Sequence, residues 1–332
     1  MARKQRDSSK RIPELTISPQ LKQEVDALVQ ATYKTNVRHW SPAITREFYV
    51  PIGEVGEIRV LHVKPKQPKN TAPVLFIPGF GVIQEEFNDL YEALQEDIEF
   101  YYIETREKTS SKIKRRKTKL TLSEKAKDIQ TVIDFLNLSQ KDFLLVGTCW
   151  GSSVVLTGLY EKTLTAPRIL LFDPAFELAF SKFIVNISIL LPTFMVSLLK
   201  RIFKFFALMG MKEKRQKERT SAFIDNAVVW KWKRAAYQNR KLNLFKILPA
   251  IEKELFIVNG SNDRFHNQEI YPMEAKALPH GRFFYLEVDE SKRERMMAAV
   301  IREFALGTQV QPVPLVMQKF EKNLKREENL AF

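Results

Sequence analysis

The sequence predicts an α/β fold: a doubly wound, mostly parallel sheet of eight strands with an inserted helical cap. Three observations predict it. Six short apolar runs, at residues 74–77, 98–103, 143–146, 169–172, 255–258 and 283–288, read as strands buried on both faces. Stretches of helical period lie between them, at 87–95, 122–136, 154–160, 268–278 and 293–304. Strands and helices alternating at these lengths make βαβ units, whose strands run parallel. Finally, the connection over residues 175–250 is far longer than a crossover helix needs, which marks an insertion.

The remaining elements follow in order. Residues 1–18 read as a basic, disordered tail. Apolar positions 21, 25, 28 and 29 predict an amphipathic helix over 19–33. Residues 44–50 and 57–63 alternate in polarity around Pro51 and Gly53, so they form an antiparallel pair ahead of the parallel strands. The core then spans 19–174 and 251–306, and the cap 175–250. Residues 307–332 form a C-terminal tail with a short helix near 316–325.

Composition bounds the function. The chain has 332 residues, of which 45% are hydrophobic and 28% charged, enough to build a core. One cysteine excludes an internal disulfide and a cysteine-built zinc site, and points to an intracellular, cytoplasmic chain. The polar, basic start leads into no apolar run, so no secretory signal is expected. Nothing in the pattern calls for a metal or a cofactor. A net charge of +14 suggests anionic partners. Most of it sits in the insertion, with 15 Lys/Arg against 4 Asp/Glu over 175–250. No nucleic-acid-binding module accompanies that charge, so nucleic acid is not the expected partner.

Residues 183–199 carry no charge. As a helix they reach only about 26 Å, short of a bilayer core of about 30 Å. A lid with an apolar underside, lining a pocket for an acyl chain, is expected instead. Beside it, Lys200, Arg201 and Lys204 alternate with Phe203, Phe205 and Phe206. Two readings stand: contact with an anionic membrane surface, or a cap with a solvated basic face. A second basic run, 112–119, follows the strand at 98–103 and opens at the carboxyl side of the sheet. It attracts a phosphorylated carrier such as coenzyme A or a lipid phosphate, or it is a solvated loop.

The run at 143–146 leads into Gly147-Thr148-Cys149-Trp150-Gly151, a G-x-C-x-G turn between strand and helix. A sharp turn there lifts its middle residue out of the sheet, and the glycines leave room for crowded backbone. The helix N-terminus beneath favours a thiolate at Cys149, and the Trp150 N–H would face a developing oxyanion. The plainer reading of Cys149 is a buried structural thiol.

With this turn in place, residues 44–305 resemble the α/β-hydrolase fold superfamily. A cysteine in the elbow is similar to dienelactone hydrolases and polyhydroxyalkanoate synthases. The resemblance implies Cys149 as nucleophile, Gly147 and Gly151 as elbow glycines, and Phe80, in Pro78-Gly79-Phe80-Gly81, as second oxyanion donor with Trp150. It implies Asp263 as the acid after the seventh strand, a lid at the insertion, and a small acyl ester or thioester as substrate. No cofactor is implied.

The family also places a histidine after the last strand, and here that loop reads Asp289-Glu290-Ser291-Lys292-Arg293. The four histidines are His39, His62, His266 and His280. His280 precedes the last strand and so falls roughly 20 Å away, at the opposite end of the sheet. His62 reads as a core or edge residue, and His39 lies in a connector. His266 lies at the correct end of the sheet, as a weak base candidate or a plain surface residue. Asp173, after the preceding strand, is a second candidate acid or simply a turn residue before Pro174. Three outcomes stand: a non-catalytic relative, an unorthodox base (His266, Asp289 or Glu290), or a cysteine thiolate acting without one.

Overall fold

The computed structural model describes residues 12–33, 40–116, 118–178, 181–209, 211, 214–261 and 267–325. Ten strands among the described residues form one sheet: β1 (Thr45–Pro51), β2 (Gly56–Val63), β3 (Val74–Ile77), β4 (Phe100–Ile103), β5 (Lys112–Ile113), β6 (Leu144–Thr148), β7 (Arg168–Phe172), β8 (Leu255–Ser261), β9 (Gly281–Val288) and β10 (Glu321–Lys322). The spatial order is β1-β2-β4-β3-β6-β7-β8-β9-β10, with β5 paired to β2 off this path. From β4 through β9 every pairing is parallel, while β1 and β2 are antiparallel to each other and β2 is antiparallel to β4.

The eight expected strands are therefore present, and β5 and β10 are additions. Both are two residues long, too short to leave a period in sequence. β10 covers the open edge of β9, where Arg282 grips Glu321 at 2.6 Å.

Helices cover both faces, because the central strands present apolar side chains alternately to each. One face packs Leu75, Ile77 and Leu145 under α3 (Leu122–Phe135), α4 (Trp150–Tyr160) and α9 (Ile270–Ala277). The other packs Val74, Phe76, Leu144 and Val146 under α1 (Pro19–Gln30), α2 (Asn88–Leu94) and α10 (Arg293–Leu306). Capping sets two helix starts: Ser18 accepts the Leu21 N–H at 3.2 Å, and Thr121 accepts the Glu124 N–H at 3.3 Å.

Both ends of the described chain depart from the expectation of free tails. Residues 1–11 lie outside the described residues, but Pro13–Leu15 forms one 3-10 turn, and Glu14 pairs with Lys276 at 2.7 Å. At the other end Val313, Met317 and Phe320 are buried against α10 and its neighbours. The helix expected near 316–325 shrinks to α11 (Leu315–Gln318), and β10 follows. These apolar residues complete the core face that α10 leaves open.

The long connection between β7 and β8 holds four helices among its described residues: α5 (Lys182–Leu190), α6 (Thr193–Met209), α7 (Lys214–Asp225) and α8 (Val229–Gln238). No helix among the described residues is long and apolar enough to cross a membrane.

Candidate active site

A sharp strand-to-helix turn lies at Cys149. β6 ends at Thr148 and α4 starts at Trp150, so Cys149 alone makes the turn, with φ 51° and ψ −117°. A non-glycine residue in that region costs on the order of 1–3 kcal/mol, so the surroundings must hold it. They do: the Cys149 N–H donates to the Phe172 carbonyl at 2.8 Å, and the Cys149 carbonyl accepts from Ser153 and Ala175 N–H, both at 3.3 Å.

The two glycines meet a steric demand. A Cβ on Gly147 would stand 2.8 Å from the Ser152 backbone, and one on Gly151 would stand 2.3 Å from the Ile77 carbonyl oxygen. Only a residue without a Cβ lets α4 start so close to β3. Cys149 is half-buried rather than sealed in the core.

The loop after β3 lies against this turn. A Cβ on Gly79 would come within 3.3 Å of the Cys149 Cβ. Next to it, the Phe80 ring packs edge-on to Trp150 at 5.7 Å and tilts against Trp232 of α8 at 5.2 Å. Gly81 has φ +66°, and a side chain there would meet the Trp232 ring at 2.3 Å. The inserted helices thus rest on the loop that carries Phe80.

Beneath that loop lies a buried ionic cluster that leaves no pattern in the sequence. Lys125 of α3 pairs with Glu107 at 2.7 Å, and both are fully buried. The Thr105 hydroxyl donates to the other Glu107 oxygen at 2.7 Å. Lys125 also faces the rings of Phe80 and Trp150, at 5.6 and 5.8 Å from their centroids. Burial pushes the Glu107 carboxyl up, but Lys125 and Lys108 outweigh it and bring it down to about 2.

The Lys108 ammonium, itself buried, donates to the Gly79 carbonyl. A trans peptide holds its C=O and N–H antiparallel. Lys108 therefore sets the orientation of the Gly79–Phe80 peptide and of the Phe80 N–H. Lys231 of α8 closes the chain of contacts by donating to the Lys108 and Ser111 carbonyls, at 2.6 and 2.7 Å. In sequence, Arg106-Glu107-Lys108 looks like any solvated loop, and Lys125 like the polar face of a helix.

Burial pushes the Lys231 ammonium down to about 8, against the pull of Glu107 and Glu104. The unfolded value is about 10.4. Between these the folded chain binds fewer protons than the unfolded one, so this residue makes stability rise with pH. Wild type minus Lys231→Met should therefore show a melting-temperature difference that grows from pH 8 to pH 10 at constant ionic strength. Parallel curves would remove Lys231 from the titration.

The other expected residues fall as follows. Asp263, His266 and His39 lie outside the described residues. His62 pairs with Glu99 at 2.7 Å on the outer strands, and His280 sits exposed beside Glu252 at the far end of β9. Neither reaches the elbow, as their strand positions imply. Asp173 is more than a turn residue. It is buried at φ 45°, accepts from the Asn259 amide at 2.7 Å, and is held by Arg293 at 3.0 and 2.8 Å. Arg293 also donates to the Thr148 hydroxyl at 3.2 Å. The loop that would carry a histidine thus delivers a guanidinium beside the elbow, and Asp173 is committed to it.

Among the described residues, no group of His, Cys, Asp or Glu is arranged to hold a metal ion. No protein-family model matches the chain, and no curated protein matches it by sequence. Solved structures do resemble it. One is a hydrolase from Pseudomonas aeruginosa PA01, with TM-score 0.61 and 14% identity over 79% of this chain and 99% of that one. Another is a thermophilic esterase from Thermogutta terrifontis, with TM-score 0.60 and 16% identity over 78% and 97%. A third is a bacterial membrane phospholipase A, with TM-score 0.58 and 14% identity over 87% and 92%. At these identities the likeness speaks for architecture, and it agrees with the strand order and the turn at Cys149: the chain has the α/β-hydrolase fold.

Proposed function

We propose that the chain is an acyl-group hydrolase or transferase that uses Cys149 on a thioester or ester with an apolar acyl part. The observation that carries this reading is the half-buried cysteine held at φ 51° above the first turn of α4. A thiol at a helix N-terminus ionises more readily. The thiolate attacks the acyl carbonyl and forms a C–S bond, and the Phe80 and Trp150 N–H groups receive the oxyanion. Collapse expels the leaving group, which takes a proton from solvent or from His266. Water, or an acceptor hydroxyl, then cleaves the acyl-enzyme and restores the thiol. Asp263 orients the base when one takes part, and the inserted helices act as the lid.

The absence of a histidine after β9 bears on the substrate. A thiolate leaves without being protonated, whereas an alkoxide needs an acid. Thioesters and activated esters therefore suit this site best. The structural neighbours, a hydrolase, an esterase and a phospholipase A, support ester chemistry in general. One observation favours a second reading, a non-catalytic relative that binds an acyl ligand or an anionic membrane: the Arg293–Asp173 pair beside the elbow.

Hydrolysis of a chromogenic short-chain ester and of an acyl thioester separates the readings. Wild type should exceed Cys149→Ala by at least about 100-fold, with thioester preferred to alkyl ester. Equal rates for the two proteins would remove Cys149 from the mechanism and leave the binding reading.

A further inference from the structure

The α5–α6 pair presents an apolar surface to solvent, where the sequence pattern predicts an underside lining a pocket. Phe183, Leu190, Phe194, Leu198, Phe206 and Met209 are each between 61% and 82% exposed, and α6 has no buried residue. Surfaces of this kind are rare on soluble chains and mark contact sites. Its charge pattern says what contacts it. Residues 178–212 contain no Asp or Glu, while Lys182 and Arg201 stand exposed among the apolar side chains.

The fold adds charge that the sequence keeps about 80 residues away. Arg115 donates to the Thr193 hydroxyl at 3.3 Å, at the first residue of α6, and stacks over Trp230 of α8 at 5.9 Å. This contact brings the exposed Lys114, Arg115 and Arg116 to the rim of the apolar face. The carboxylate of Asp225, from α7, reaches this pair and is taken up by Lys204. An amphipathic helix pair that contributes no carboxylate of its own and is rimmed with cations is complementary to a surface that is apolar within and anionic at its boundary. A second copy of this chain does not offer that, since it would set one basic face against another. At 17 residues α6 is too short to span a bilayer, so it lies in the plane of the interface.

We propose that α5, α6 and the segment 114–116 dock the chain on an anionic lipid bilayer, with apolar side chains entering the headgroup boundary and basic ones meeting lipid phosphate. The assignment deepens the proposed function by naming the surface on which an apolar acyl substrate is met. It does not depend on Cys149, so its failure is separable from failure of the chemistry.

The test is co-sedimentation of the full chain, and of Cys149→Ala, with phosphatidylcholine vesicles and with vesicles also containing phosphatidylglycerol. Binding to the anionic vesicles should be stronger by at least about tenfold, and should fall with salt. Lys114→Glu/Arg116→Glu/Arg201→Glu should lose that preference, and Phe194→Ser/Phe206→Ser should weaken binding to both vesicle types. In Phe206→Trp, indole fluorescence added by the substitution should be quenched by brominated lipid, which reports insertion without relying on a loss. Three results would overturn the assignment: no vesicle binding, equal binding to both lipid compositions, or a stable dimer in vesicle-free solution that Phe194→Ser/Phe206→Ser dissociates.

Discussion

Gly151→Ala should destabilise the protein by about 3 kcal/mol, at the upper end for adding one methyl group. The new Cβ would stand 2.3 Å from the Ile77 carbonyl oxygen and 2.8 Å from that of Pro78. Both are backbone atoms where β3 ends, so no side-chain rotation relieves the contact. The chain must instead push α4 away from β3, which separates Trp150 from the loop bearing Phe80. Gly307→Ala is the control. That residue has φ −75°, and its added Cβ would meet the Phe304 carbonyl oxygen at 3.3 Å, so its effect should stay below about 1 kcal/mol. Denaturant midpoints measure both, and a similar small shift in each would show that the elbow tolerates a side chain.

Lys125→Met should cost about as much or more, roughly 3–5 kcal/mol, for an electrostatic reason. It leaves the Glu107 carboxylate buried without its 2.7 Å partner. Glu107→Leu should cost a similar amount by stranding Lys125. The double variant Glu107→Leu/Lys125→Met should be more stable than either single one, because it removes both charges together. Urea titration of the four proteins gives the coupling. Additive single effects would mean that the two groups do not sense each other.

The pH dependence carries a matching sign. In wild type the Glu107 pKa lies below its unfolded value, so its contribution is present above about pH 4.5 and is lost as pH falls toward about 2. In Lys125→Met the cation is gone and burial raises the carboxyl, so the variant gains relative stability as Glu107 takes up a proton. The gap between the two proteins should therefore narrow from pH 7 to pH 5. A gap that widens on acidification would contradict the assignment.

Both effects arise at places that differ in how well the sequence displays them. Gly147 and Gly151 are legible because a strand-to-helix turn is a local event: its steric demands fall on neighbouring residues, and the chain spells them in order. Glu107 and Lys125 are 18 positions apart and each looks ordinary where it stands. Their burial becomes visible only when the loop after β4 folds under α3. Arg293 is similar. It opens α10, shortly after β9, yet its bond to Asp173 joins residues 120 positions apart.

By itself, the sequence determined the parallel sheet, the strand-to-helix turn at Cys149 and the long connection between β7 and β8. Each depends on apolar period or on backbone sterics, which act over a few residues. Only the tertiary structure decided which lysines are buried, what Asp173 and Arg293 bind, that β5 and β10 join the sheet, and that Arg115 meets the start of α6. Ion pairs and edge pairings form between groups distant in the chain, and their strength depends on a local dielectric that exists only once the chain has closed around them.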